Sequence, residues 1–381
     1  MGKNTSKSIY KAAWAEISVD GLEHNLRIIR SGLRPGTAVC AVLKADAYGH
    51  GAAGIRKKLA KKGLAEMVAV GKMSELISLT RETGDDGMRV LLLGASEAAE
   101  LEANLKKGNI RLERSVFSIF NMHQFRELNA LGRKKGIRIH AHIRIDGWGT
   151  GMGLGFWEYL ENEKELFSAK YVNVCGLYSH LYSSYSEDRE ETLWELKRFD
   201  AFVKRIHPDF RKRMTVHILN SALVFCFPEY AYDMVRVGTA LYGLPCGGGG
   251  GLRPVMKICA EVFDVREVDM SAPLSYKSPI AAGRRKIARI MLGYWDCPLL
   301  LTQKDIRILI RDRLFCLADD PCMDNLCIDV TGSDDISVGD VAVILGEPGV
   351  FVEEILERNE IDYVHSEWMS MTAGRLEKVY L

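Results

Sequence analysis

Residues 38–62 read AVCAVLKADAYGHGAAGIRKKLAKK. The opening run, Ala38 to Leu43, is continuously apolar, as expected of a strand buried on both faces. From Ala52 to Lys62 the pattern turns helical, with Ile55 and Leu59 on one face and lysines on the other. A polar, glycine-punctuated connection, Lys44 to Gly51, joins the two. Strand, loop and helix in that order make a βα unit of a parallel sheet.

The same alternation runs outward from about Ala15 to Leu244. Expected strands are Ala38 to Leu43, Met67 to Val70, Arg89 to Leu93, Arg138 to Ile145, Tyr171 to Leu177, Thr215 to Ile218 and Met234 to Arg236. Helical segments separate them, among them Gly21 to Ser31, Ser96 to Lys107, Asn121 to Lys135 and Glu187 to Ile206. This reads as an α/β fold, a (β/α)8 TIM-like barrel over about residues 13–246. The glycine run Gly247 to Gly251 then marks a linker; a phosphate cradle is the sharper alternative, but the GxxxxGK[ST] spacing is missing. Short alternating segments follow (Ala260 to Val268, Ile287 to Leu292, Ile306 to Ile310, Asn325 to Val330, Val341 to Leu345), so residues 252–381 read as a mainly β C-terminal domain. Residues 1–12 are expected to pack on it.

A chain of 381 residues exceeds one ordinary core, in keeping with two domains. Its formal net charge of +1 gives no reason to expect nucleic acid as a partner. No 18-residue apolar stretch suggests a membrane span, and the start MGKNTSKSIYK is too polar for a signal peptide. Nine irregularly spaced cysteines without a CxxC pair point to reduced thiols in the cytoplasm rather than to a disulfide framework or zinc. No metal is expected.

In a barrel, chemistry sits at the C-terminal ends of strands, where a rigid strand presents a side chain and the loop admits substrate. Lys44 emerges there, directly after a buried strand. Such a lysine is either salt-bridged or desolvated and fit for covalent carbonyl chemistry, and from the residue alone the two readings stand level.

The segment VLKADAYGHG, Val42 to Gly51, closely resembles the cofactor-lysine motif of the alanine racemase family, and the resemblance extends over nearly the whole chain. AWAEISVDGLEHNLRIIR is similar to the family's opening strand and helix, GLYSHLYSSYSED to its histidine segment, and HILNSALVFCFPEYAYDMVRVGTALYGL to its phosphate-binding stretch. PLSYKSPIAAGRRKIARIMLGYWD resembles the catalytic-tyrosine segment, and CMDNLCIDVT the substrate-contacting loop. The resemblance implies a pyridoxal 5'-phosphate enzyme interconverting L- and D-forms of a small amino acid by a two-base mechanism, as a homodimer with its active site at the interface.

Residue by residue, the resemblance makes Lys44 both the covalent cofactor anchor and one catalytic base, and Tyr276, from the neighbouring subunit, the other. Tyr48, Asn220, Ser221 and the amides of Gly238 and Thr239 would hold the phosphate. His180 would lie beside the pyridine ring and Arg236 would face its nitrogen, where a permanent positive charge opposes protonation. The amide of Met323 would bind the substrate carboxylate, and Tyr294 would line the entrance. The bland alternatives are a structural strand-end histidine at 180 and a barrel-closing ion pair at Arg236.

The chain departs from the family's pattern at DGWGTGMGLGF, Asp146 to Phe156. Gly147-Trp148-Gly149 is an insertion, and the arginine expected just before Leu154 is absent. Strand alternation places Arg144 on the same face as Asp146. Arg144 is therefore expected either to take over substrate work near Tyr276 or merely to pair with Asp146 or another barrel carboxylate. Gly374 stands where the family commonly has a pocket-narrowing tyrosine, and the GRLEK ending resembles serine/alanine racemases of glycopeptide resistance, which extends the expected substrates from alanine to serine. Two rivals remain: a cofactor-binding paralogue with little or no turnover, and a related amino-acid decarboxylase, against which Arg236 argues because those enzymes place glutamate at that position.

Overall fold

The computed structural model describes residues 12–186, 188–269, 274, 283–362, 364–371 and 375–381. Eight parallel strands follow one another around a ring in the order Thr215–His217, Val172–Tyr178, Ile139–Arg144, Ser115–Ile119, Arg89–Leu92, Met67–Val70, Ala38–Val42 and Met234–Val237. The two ends of this sheet meet where the Asp233 amide donates to the Val216 carbonyl (3.1 Å) and the Arg236 amide to the Leu219 carbonyl (3.0 Å). The architecture is the expected barrel. One strand is additional to those expected: Ser115–Ile119 is wholly buried, but its serines break the apolar run that would have revealed it. Ser118 is satisfied locally, donating to the Leu92 carbonyl at 2.6 Å.

The second sheet is mainly antiparallel and is built from Met256–Asp269, Arg284–Ile290, Arg307–Ile310, Arg313–Cys316, Leu326–Asp329, Val341–Leu345 and Glu377–Tyr380. Ala13–Ile17 also belongs to it, antiparallel to Met256–Ala260 and parallel to the C-terminal strand. The strand that leads into the first barrel helix therefore takes its hydrogen bonds from the other sheet. One continuous apolar core spans both.

Below the C-terminal mouth the barrel core is partly polar. His142 and His217 are buried, their Nδ1 and Nε2 atoms 2.9 Å apart, and His217 Nδ1 lies 2.9 Å from an Arg236 Nη. A guanidinium only donates, so His217 Nδ1 must accept, and its proton sits on Nε2, donating to His142. Both rings are held neutral. Burial, then Arg89 and Arg236, lowers the His142 pKa to about 3, and burial with Arg236 carries His217 well below its ordinary range.

The connection after Ala38–Val42 is unusual. Ala45, Asp46, Ala47 and Tyr48 have φ of 53°, 52°, 57° and 53°, a left-handed turn made without glycine. Each L-residue in that region costs roughly 1–2 kcal/mol. Surrounding bonds hold it: Glu75 accepts from the amides of Ala45 (2.6 Å), Gly71 (2.7 Å) and Lys72 (3.0 Å), and Asp46 accepts from the Ala52 amide (2.8 Å). From the second sheet, Tyr380 donates to the carbonyls of His50 (3.1 Å) and Gly51 (3.0 Å).

Two outcomes follow from these features. Ala45 is exposed, so Ala45→Gly relieves strain without loss of packing. Glycine's greater unfolded-state freedom offsets part of the gain, leaving about 0.5–1 kcal/mol of added stability in a denaturant titration; a lower midpoint would contradict the left-handed turn. The buried histidines have folded-state pKa values below the unfolded value near 6.5, so the unfolded chain binds more protons in between. Stability is complete above about pH 6.5 and falls as pH drops towards 3. His142→Asn should flatten that fall by up to one proton, about 1.4 kcal/mol per pH unit, and an unaltered slope would show that His142 is not buried neutral.

Candidate active site

The left-handed turn aims Lys44 across the mouth of the barrel. Its stem passes over Gly71, with Lys44 Cβ 3.5 Å from where a Cβ on that glycine would stand. A Cβ on Gly94 would strike the Gly71 carbonyl oxygen, so that strand end must lack a side chain for the two loops to lie this close. The result is a cavity of about 560 Å³.

Lys44, Tyr48, Arg144, His180, Asn220, Ser221, Arg236, Gly238 and Thr239 all line this one cavity. Residues from the ends of several different strands are thereby brought together. Tyr294 and Met323 do not line it. They lie side by side in the second domain, where the Tyr294 amide donates to the Cys322 carbonyl (3.0 Å) and the Trp295 amide to that of Met323 (3.1 Å). Arg375 braces both loops by bonding to Asp296 (2.8 Å) and Asp324 (2.6 Å). Met323 is 47% and Trp295 61% exposed on that surface. Tyr276 and Gly374 lie outside the described residues.

One wall is rich in donors. Ser221 Oγ accepts from the amides of Gly238 (3.0 Å) and Ala240 (3.1 Å), which leaves its own O–H to donate into the cavity. Tyr48 reaches the same wall: a Cβ on Gly238 would stand 2.6 Å from its hydroxyl, so only glycine fits there. Burial raises the Tyr48 pKa, keeping the hydroxyl protonated and able to donate. Neutral donors around a space that only glycine leaves open suit a phosphate.

The floor carries positive charge. Arg236 is only 4% exposed, and its guanidinium donates to the carbonyls of Ser179 (2.9 Å), His217 (3.2 Å) and Ile218 (3.3 Å) as well as to the His217 ring. Among the described residues no carboxylate pairs with it. The barrel-closing ion pair weighed from the sequence is therefore not what holds it. Burial lowers its pKa to about 10, which leaves it charged at neutral pH. Tyr178 stacks on His217 (5.0 Å, 6°) beneath that guanidinium. His180 opens onto the cavity, its pKa lowered to about 3, first by the protein packed around it and then by Arg236, Arg144 and Lys44.

Sequence reasoning passed over His142, His217 and Tyr178, and also Tyr185, which lines the cavity. A signal existed for the first, since HAHIR alternates His142 and Arg144 onto one face; the others become visible only when strands are brought side by side. The inserted Gly147-Trp148-Gly149 has a packing role. Asp146 accepts from the amides of Trp148 (3.0 Å), Gly149 (3.0 Å) and Gly151 (2.6 Å), and Trp148 meets Phe156 edge-on (6.0 Å) and lies 6.4 Å from Trp194.

The donor-lined wall, the charged floor and a lysine at the mouth fit pyridoxal phosphate. The profile described as "Alanine racemase, N-terminal domain" matches residues 17–245, and "Alanine racemase, C-terminal domain" matches residues 255–380. Alanine racemase of Desulfovibrio desulfuricans is 29% identical over 379 residues, covering 98% of this chain and 99% of the relative. Alanine racemase of Clostridium difficile 630, solved in complex with cycloserine, superposes with a TM-score of 0.85 at 26% identity, over 98% of this chain and 96% of that one. The Bartonella henselae enzyme, solved with covalently bound pyridoxal phosphate, shares the fold at a TM-score of 0.80 and 22% identity, over 97% of this chain and all (100%) of that one. The chain thus belongs, through both of its domains, to the alanine racemase family.

Proposed function

We propose that this chain racemises alanine, and serine as a second substrate, with Lys44 and Tyr276 as its two bases. The observation that carries the reading is the convergence of Lys44, the donor wall at Tyr48, Ser221, Gly238 and Thr239, and uncompensated Arg236 on one cavity. Bound pyridoxal phosphate supplies the electron sink that makes a substrate α-hydrogen acidic. Lys44 anchors the cofactor and its Nζ takes or returns the proton on one face of the α-carbon. Tyr276 Oη does the same on the other. Asn220 stands beside Ser221 on the phosphate wall, and its own Oδ1 accepts from the Ala222 amide (3.1 Å), which fixes the side chain there. Arg236 keeps a positive charge at the floor, where protonation of a ring nitrogen is opposed. His180, held neutral, would help to hold the cofactor ring without adding to that charge.

A homodimer belongs to the same reading. Tyr294 and Met323 stay off their own chain's cavity yet lie together on a partly exposed apolar surface that includes Trp295 and Met291, and a second copy would carry them, with Tyr276, to the first copy's mouth. No helix among the described residues is long and apolar enough to cross a membrane, and nine cysteines with no disulfide between them support a cytoplasmic location.

The test is a panel of L-amino acids incubated with holoprotein and read by chiral chromatography. D-alanine and D-serine are expected; cofactor binding without any D-product would favour a paralogue that no longer turns over. Lys44→Ala should abolish the borohydride-reducible link to the cofactor together with turnover, and retention of that link would show a different anchor. Tyr276→Phe should keep the cofactor but lose about 10²- to 10⁴-fold in rate. Mixing Lys44→Ala with Tyr276→Phe subunits should restore part of the activity, whereas none would return if each chain used its own tyrosine.

A further inference from the structure

Arg144 ends the strand Ile139–Arg144 and lines the cavity. Its guanidinium lies 5.3 Å over the Phe120 ring, and its Nε is buried with no hydrogen-bond partner. The carboxylate nearest in sequence is not available to it, because Asp146 is occupied by the amides of Trp148, Gly149 and Gly151. Among the described residues no ion pair joins Arg144 to any carboxylate. Two further cations stand close by: Arg236 and Lys44, with Arg144, all bear on His180. Among the described residues, Glu367 is the only carboxylate lining the cavity.

A half-buried guanidinium among cations, with no counter-ion and an unused Nε–H, is costly unless an anion completes it. That anion is not the phosphate. The phosphate donors follow the strands Thr215–His217 and Met234–Val237, and Val172–Tyr178 stands between these and the strand of Arg144. Pairing through Nε–H and one Nη–H is a side-on fork that matches a carboxylate. Phe120 below the guanidinium and Tyr178 beside it fix the plane of that fork.

We propose that Arg144 anchors the α-carboxylate of the substrate. The inference rests on the racemase reading above. Racemisation changes only the face on which hydrogen sits, so one fixed group must hold the carboxylate in both enantiomers while Lys44 Nζ meets one face. A residue on a rigid strand end can do this within the fractions of an ångström that decide proton transfer.

The test compares wild-type, Arg144→Met and Arg144→Lys holoproteins. Propionate, a carboxylate without an amino group, is titrated calorimetrically, and kcat and KM are measured for L-alanine and L-alaninamide. Arg144→Met should weaken propionate about tenfold or more, raise KM for alanine more than it lowers kcat, and abolish the preference for alanine over its amide, with cofactor absorbance unchanged. Arg144→Lys, which keeps the charge and stem but not the fork, should recover part of the propionate affinity. Variants that hold cofactor and bind propionate like wild type, or a wild type that binds none, would overturn the anchor while leaving the racemase reading intact if turnover persists. Propionate binding that depends on Arg144 in a protein that racemises nothing would do the reverse, keeping the anion site and removing the reading on which its substrate role rests.

Discussion

The carboxylate of Glu75 holds the site in shape. It accepts three backbone amides, those of Ala45, Gly71 and Lys72, and so ties the end of one barrel strand to the start of a left-handed turn that four L-residues adopt against their preference. At roughly 1–2 kcal/mol per residue, that turn would relax if nothing opposed it. Relaxation to right-handed helix would carry Lys44 away from the mouth. Strain is here stored at the position where geometry matters most and is offset by bonds from two directions, Glu75 within the barrel and Tyr380 from the second sheet.

That division of labour explains why the two domains are interlocked rather than strung together. Ala13–Ile17 and Glu377–Tyr380, near opposite ends of the chain, pair in one sheet, and Tyr380 reaches from it to the carbonyls just beyond the lysine turn. The second domain is therefore part of how the barrel presents its lysine. Beneath the turn, charge is handled by neutrality: His142, His217 and Tyr178 support Arg236, with no carboxylate pairing to it among the described residues, so the floor stays positive while its neighbours titrate far from neutral pH.

Much of this was legible in the sequence because it is local. Apolar runs mark most barrel strands, Lys44 follows directly from one of them, and the donor-lined wall is built from one contiguous motif around Ser221 and another around Gly238. What escaped is non-local or goes against propensity. Ser115–Ile119 hides behind serines that bond to a neighbouring strand. Nothing in ADAY announces four left-handed residues, since glycine is the usual signal and none of these is glycine. The Arg236–His217–His142 chain joins residues far apart in sequence, and the partner of the first strand lies more than two hundred residues away. Whether Arg144 would pair with Asp146 could not be decided from alternation alone, because both face the same way; the loop amides that occupy Asp146 appear only in three dimensions.

The central claim is that a lysine held by a strained turn exchanges the α-hydrogen of a bound amino acid. The most direct measurement is incubation of the holoprotein with L-alanine in deuterium oxide, with the α-position followed by NMR and the enantiomers separated afterwards. The account predicts that the α-proton signal disappears and that the D-alanine formed carries deuterium. A protein that binds pyridoxal phosphate and L-alanine yet leaves the α-proton in place would contradict it.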